Sequence, residues 1–165
     1  MAAAGWMRCA EAEPADYSLF EGAYKGHELF QYPALNLEGR GQAAMKITTS
    51  GRGATLIFSR SLHVNGMNFP FSERTRFSTR HKFNSSISVP NFAHFGASSG
   101  HARVVGNRIR FLASYHMLGS AMSLVEDATI TVSGRRLVYN VVVEFSSPAG
   151  LQRVATFEFI GLRKP

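Results

Sequence analysis

The chain has 165 residues and a formal charge of +7, from 18 Lys and Arg against 11 Asp and Glu. Hydrophobic residues at 45% and charged residues at 18% exclude a mostly disordered chain, and the length suits one domain with one core. A lone cysteine, Cys9, excludes an internal disulfide framework and a multi-cysteine zinc site, and no apolar run approaches the ~18 residues of a membrane helix.

Residues 1–17 open with MAAAGWMRCAEAEPA and read as a flexible tail. No Lys or Arg precedes the short apolar run Met1–Met7, so the segment lacks the basic n-region of an export signal. Ala10-Glu11-Ala12 nevertheless has small-x-small spacing, which leaves a truncated export signal open. The cytoplasm is the expected compartment, with the periplasm or secretion as the alternative.

From Ser18 onward the hydrophobic period is two. Phe20, Gly22, Tyr24 and Gly26 alternate with Glu21, Lys25 and His27, and Met45, Ile47 and Thr49 with Lys46 and Thr48. Leu56, Phe58, Arg60, Leu62 and Val64 share one face, and Met67, Phe69, Phe71, Glu73, Thr75 and Phe77 another. Ile109, Phe111, Ala113, Tyr115 and Met117 follow, then Leu124, Ala128, Ile130 and Val132. Leu137, Tyr139, Val141, Val143 and Phe145 come next, and Ala155, Phe157 and Phe159 last. Such alternation predicts half-buried antiparallel strands. Ser50-Gly51-Arg52-Gly53, Asn65-Gly66, Gly106-Asn107, Ser133-Gly134 and Pro148-Ala149-Gly150 sit between the runs as turn chemistry. Asn84–Gly100 shows no sustained alternation and reads as a long connection, either a binding loop or a plain excursion. Leu118–Val125 has room for a short helical turn.

The predicted fold is all-β: an antiparallel meander of eight to ten strands closed into one barrel over 18–165, since closure removes exposed edges. Such a meander resembles the calycin group of small binding barrels, which includes lipocalins and fatty-acid-binding proteins. In lipocalins and related bacterial domains, a Gly-x-Trp on the first strand plugs the barrel base near a late Arg. Here Phe20–Gly26 offers Gly22-x-Tyr24, with Arg153 or Arg163 as the late base. Tyr stands where Trp is usual, Trp6 lies outside the barrel, and the usual disulfide is absent. The resemblance implies a central cavity for a small, largely apolar molecule.

The bases are unevenly spread. Residues 1–38 hold six acids and two bases, 39–120 eleven bases and one acid, and 121–165 five bases and four acids. Fourteen of the 18 bases are Arg, whose planar fork suits carboxylate or phosphate. The basic excess reads either as a site for an anionic partner or as a solvated outer surface.

Charges on apolar faces are the sharpest signals. Arg60 and Glu73 each sit among inward apolar residues, where an unpaired charge would be costly. A hairpin through Asn65-Gly66 would pair them. They form either a polar handle in the lumen, with Arg60 anchoring an anionic group and Glu73 orienting it, or a purely structural pair. Tyr24, Tyr115 and Tyr139 would line the same interior, as hydrogen-bond donors to a ligand or as ordinary core. His81, in phase with Glu73 and Phe77, is the candidate general acid or base if the barrel is an enzyme.

The six histidines show no metal-binding spacing, although His94 and His101 flank a Gly/Ser segment where a metal or haem ligand could sit. Gly96-Ala97-Ser98-Ser99-Gly100 has the letters of a nucleophile elbow without the strand-to-helix context. No phosphate-cradling loop is present, and only two Asp occur, so no cofactor or hard-cation site is expected. The expected partner is a small hydrophobic or anionic molecule. An isomerase, cyclase or dehydratase on the same scaffold, and a module binding an anionic macromolecule through its basic surface, are the alternatives. Nucleic acid is disfavoured because the aromatics are in phase with the core. No membrane span is expected, and a homodimer stays open.

Overall fold

The computed structural model describes residues 13–90, 93–119, 121, 123–147 and 150–165. The alternating sequence becomes eleven strands: β1 Gly22–Tyr32, β2 Leu37–Ser50, β3 Gly53–Val64, β4 Met67–Ser78, β5 Lys82–Val89, β6 Ala93–His94, β7 Ser98–Val105, β8 Arg108–His116, β9 Ser123–Ser133, β10 Arg136–Ser147 and β11 Gly150–Arg163. Ten of them run as an antiparallel meander, and β11 pairs back onto β1, from Tyr24 opposite Arg163 to Gln31 opposite Thr156. With β4 also paired to β5, the sheet is a closed ten-strand barrel; β6 is a short strand paired to β5. Closure leaves no long edge strand to seek another chain.

The period of two explains the burial directly. On β8, Ile109, Phe111, Ala113 and Tyr115 are buried, while Arg108, Arg110, Leu112, Ser114 and His116 are exposed. One residue's slip would turn that whole set outward, so the pattern fixes the register. The β3–β4 hairpin is tight because Asn65 and Gly66 both adopt positive φ, 49° and 79°. Gly26 meets a different demand. A Cβ there would collide with the backbone carbonyl of Ile160, so the close approach of β1 to β11 needs a glycine.

The expected long loop over Asn84–Gly100 is mostly strand. Ser85, Ile87 and Val89 point inward from β5, and only residues 90–97 separate it from β7 apart from the short β6. Inward serines hid the alternation. No helical turn is present over 118–125 among the described residues: Leu118 and Gly119 form a turn, and Ser123–Val125 already belong to β9. Trp6, Cys9 and Phe92 lie outside the described residues.

One end of the barrel is shut. A 3-10 turn, Ser18–Phe20, places Phe20 fully inside the base. Tyr17 stacks on Phe77 at 5.6 Å and donates to the Ser78 carbonyl at 3.1 Å. Above them Phe77 and Phe83 pack on Phe111 at 5.3 and 5.1 Å. Each fully buried large side chain contributes roughly 2–3 kcal/mol, so this aromatic base anchors the fold.

Candidate functional site: a polar layer inside the barrel

The base is completed by the Gly22-x-Tyr24 motif. Tyr24 donates to the Phe20 carbonyl at 3.0 Å and accepts from Arg163 Nε and Nη2 at 3.1 and 2.7 Å. Arg163 also donates to the Leu19 carbonyl at 2.9 Å, with its guanidinium 5.3 Å from the Tyr24 ring centre. Arg163 therefore takes the position of the late base; the Arg153 side chain lies outside the described part. Tyr24 is placed in the plug, its hydroxyl fully engaged, rather than in the lining above it.

The interior changes character half-way up. Glu28, Arg60, Glu73, Thr75, Ser85 and Glu126 are all buried polar residues on inward faces of β1, β3, β4, β5 and β9. Tyr115 and Tyr139 join them from β8 and β10. Apolar residues of the base lie below, and Phe30, Phe71 and Phe157, half-buried against the core, lie towards the other end. A charged layer between two apolar ones is expensive unless its members satisfy one another.

Two groupings do so in part. Arg60 pairs with Glu28, which strand phase brings to it from β1. The guanidinium carbon sits 3.7 Å from the Phe71 ring centre and 4.3 Å from that of Phe157. The hairpin partner expected for Arg60, Glu73, instead has its own set. Tyr139 donates to both Glu73 oxygens at 2.9 and 3.1 Å, and Thr75 donates at 2.7 Å. Behind Thr75 stands Ser85 at 2.7 Å, which in turn accepts from Tyr115 at 2.7 Å. Each hydroxyl has one proton, so a line from Tyr115 through Ser85 and Thr75 delivers its donors to Glu73. Tyr139 and Glu73 belong to strands five places apart round the ring in either direction, so their bond crosses the barrel.

Two polar features remain without protein partners. Glu28 Oε2 is buried and accepts nothing. Glu126, only 3% exposed, makes no hydrogen bond or ion pair among the described residues. Burial and the neighbouring Glu73 push the Glu126 carboxyl up to about 8, against the pull of Arg60. Burial also raises Glu73 and Glu28, opposed by hydroxyl donors in one case and by Arg60 in the other. Both tyrosines are raised as well, by burial first and then by the acids around them.

The structure thus gathers Arg60, Glu73, Tyr115 and Tyr139 in one layer. His81 is not part of it. β4 ends at Ser78, and His81 lies in the following turn at φ 58°, its ring bonded to the Glu13 carbonyl at 2.8 Å. The strand phase that aligned it with Glu73 is broken by that turn. Sequence reading missed Glu28 and Glu126, although both fall in phase, two residues beyond Gly26 and two before Ala128.

One groove on the outer wall is edged by Lys25, His27, Arg40, Gln42 and Glu158, and Glu28 also borders it. No three His, Cys, Asp or Glu side chains converge to hold a metal ion among the described residues. No described helix is long and apolar enough to cross a membrane. No protein-family model matches the chain, and no curated protein matches its sequence. The closed antiparallel barrel is compatible with a calycin-like architecture.

Proposed function

We propose that residues 18–165 form one binding domain of calycin type, which receives a small, largely apolar molecule with a polar head. The head would lie in the layer of Arg60, Glu73, Tyr115 and Tyr139, and the apolar body among Phe30, Phe71 and Phe157. The observation that carries this reading is the unfinished polar layer. Glu28 Oε2 is buried without a partner, which costs on the order of 1–3 kcal/mol, and the buried Glu126 accepts no hydrogen bond among the described residues. A purely structural layer gains nothing from that cost; a ligand head offering donors offsets it. The Tyr24–Arg163 plug shuts one end, so on this reading the molecule enters from the other.

A second reading rests on the Glu73–Glu126 pair. Two buried carboxyls in one interior, one supplied with hydroxyl donors and one whose pKa burial pushes up to about 8, resemble the arrangement by which enzymes divide base and acid roles. On that reading the ligand is a substrate and Tyr139 positions the base.

Native mass spectrometry of freshly purified protein, followed by denaturing extraction, tests both. One small molecule per chain supports the binding barrel, and its steady conversion by added protein would favour the enzyme. A bare chain mass, both as isolated and after incubation with medium-chain amphiphiles, contradicts both readings.

A further inference from the structure

The charge of the layer narrows the ligand class, on the premise that the interior is a binding site. Among the described residues three carboxyls, Glu28, Glu73 and Glu126, face one guanidinium, Arg60. Arg60 is already answered: its Nη1 donates to Glu28, and Phe71 and Phe157 lie against it. An anionic head would find no free cation among these residues. No Lys or His faces the interior among the described residues. Glu73 accepts from the Thr75 and Tyr139 hydroxyls, yet no cation is hydrogen-bonded to it among the described residues. Glu126, on the inward face of β9, is buried too, and no donor reaches it among the described residues. We propose that the head group received by the barrel is cationic, a primary ammonium, held by the buried carboxyls Glu73 and Glu126.

An ammonium fits for two reasons. Its three N–H donors match the free lone pairs of two carboxyls, and its single charge offsets the excess acid in the layer. The rings of Phe58 and Tyr139, in edge-to-face contact 5.4 Å apart, pack next to Glu73. A metal ion fits poorly, since no three ligand side chains converge among the described residues. The titratable groups facing the pair are Glu28, Arg60, Tyr115 and Tyr139. Burial keeps Glu126 protonated at neutral pH, so entry of the ammonium is coupled to loss of the Glu126 proton to solvent.

The outer wall makes the test selective. Lys46, Arg74, Arg76, Lys82 and Arg103 are exposed there, and no ion pair engages them, so adventitious surface binding favours anions over cations. Isothermal titration at pH 7 with dodecylamine, dodecanol and dodecanoate, each below its micelle concentration, compares three heads on one tail. Dodecylamine is expected to bind at least about tenfold more tightly than the other two. Proton release should approach one per ligand, read from the dependence of the heat on buffer ionisation enthalpy. Glu126→Gln should reduce amine affinity about tenfold or more and abolish proton release. Glu73→Gln gives an independent loss should the first variant fail to fold. Equal or tighter binding of dodecanoate or dodecanol overturns the cationic head and leaves the binding barrel standing. Amine preference that survives both substitutions overturns the seat at Glu73 and Glu126. Failure of all three probes to bind overturns both the inference and the reading beneath it.

Discussion

Glu126→Gln should make the barrel more stable at alkaline pH, although it removes a charge that most proteins keep at the surface. In the fold Glu126 is 3% exposed, has no hydrogen-bond partner among the described residues and is pushed up to about 8 from an ordinary value near 4.5. A folded value above the unfolded one means the native state holds its proton more tightly. That contribution is fully present below about pH 4.5 and is lost as pH rises through about 8. At about 1.4 kcal/mol per pH unit, the whole span is on the order of 5 kcal/mol, a large part of the stability of a domain this size. The neutral amide keeps the shape and removes the ionisation. Urea unfolding at pH 5, 6, 7, 8 and 9 is the assay. Wild type should weaken steadily across this range, and the variant should follow a flatter curve that lies above it at pH 9 and close to it at pH 5. Glu73 will retain some slope, because it too is raised by burial. Parallel curves for the two proteins would refute the placement of Glu126 in a low-dielectric interior.

Arg60→Met should lower stability by about 3–5 kcal/mol by leaving Glu28 buried without its counter-charge, and Arg60→Met with Glu28→Leu should recover much of that loss; urea midpoints compare the two. Arg163→Ala removes the bonds to Tyr24 and Leu19 that lock the plug and should cost about 2 kcal/mol, with faster amide exchange at Phe20. Arg163→Lys should recover less than half, because an ammonium cannot reproduce the fork. Gly26→Ala should cost more than about 3 kcal/mol or prevent folding, because the added Cβ meets the Ile160 carbonyl, whereas Gly51→Ala, in open space, should stay within about 0.5 kcal/mol. Thermal melts of this pair check that contrast.

The barrel was legible because burial alternates residue by residue over most of its strands, and the turns carry Asn and Gly where the chain reverses. The base was legible from Gly22-x-Tyr24 and a late Arg, since both ends of that contact lie on strands that a closed meander must bring together. The β5 strand was hidden, because Ser85 points inward and a run of serines has no hydrophobic period. Pairing inside the barrel was harder to read. A hairpin put Arg60 near Glu73, but the shear of the closed sheet carried Glu28 from β1 to Arg60 and set Glu73 against Tyr139 on the opposite wall. Such contacts depend on strand stagger, which a list of phases does not contain. His81 shows the converse: phase extrapolated past a strand end has no meaning once a residue adopts positive φ.

Side-chain NMR tests most directly whether the interior is the binding site. Spectra of protein labelled at Phe and Tyr ring carbons and at backbone nitrogens, recorded while dodecylamine is added, should shift Phe71, Phe157, Tyr115 and Tyr139 together, with the Tyr17 ring at the plugged base left in place. Shifts absent from these interior rings while backbone amides along the outer β4–β5 wall respond would contradict the account and move binding to the basic surface.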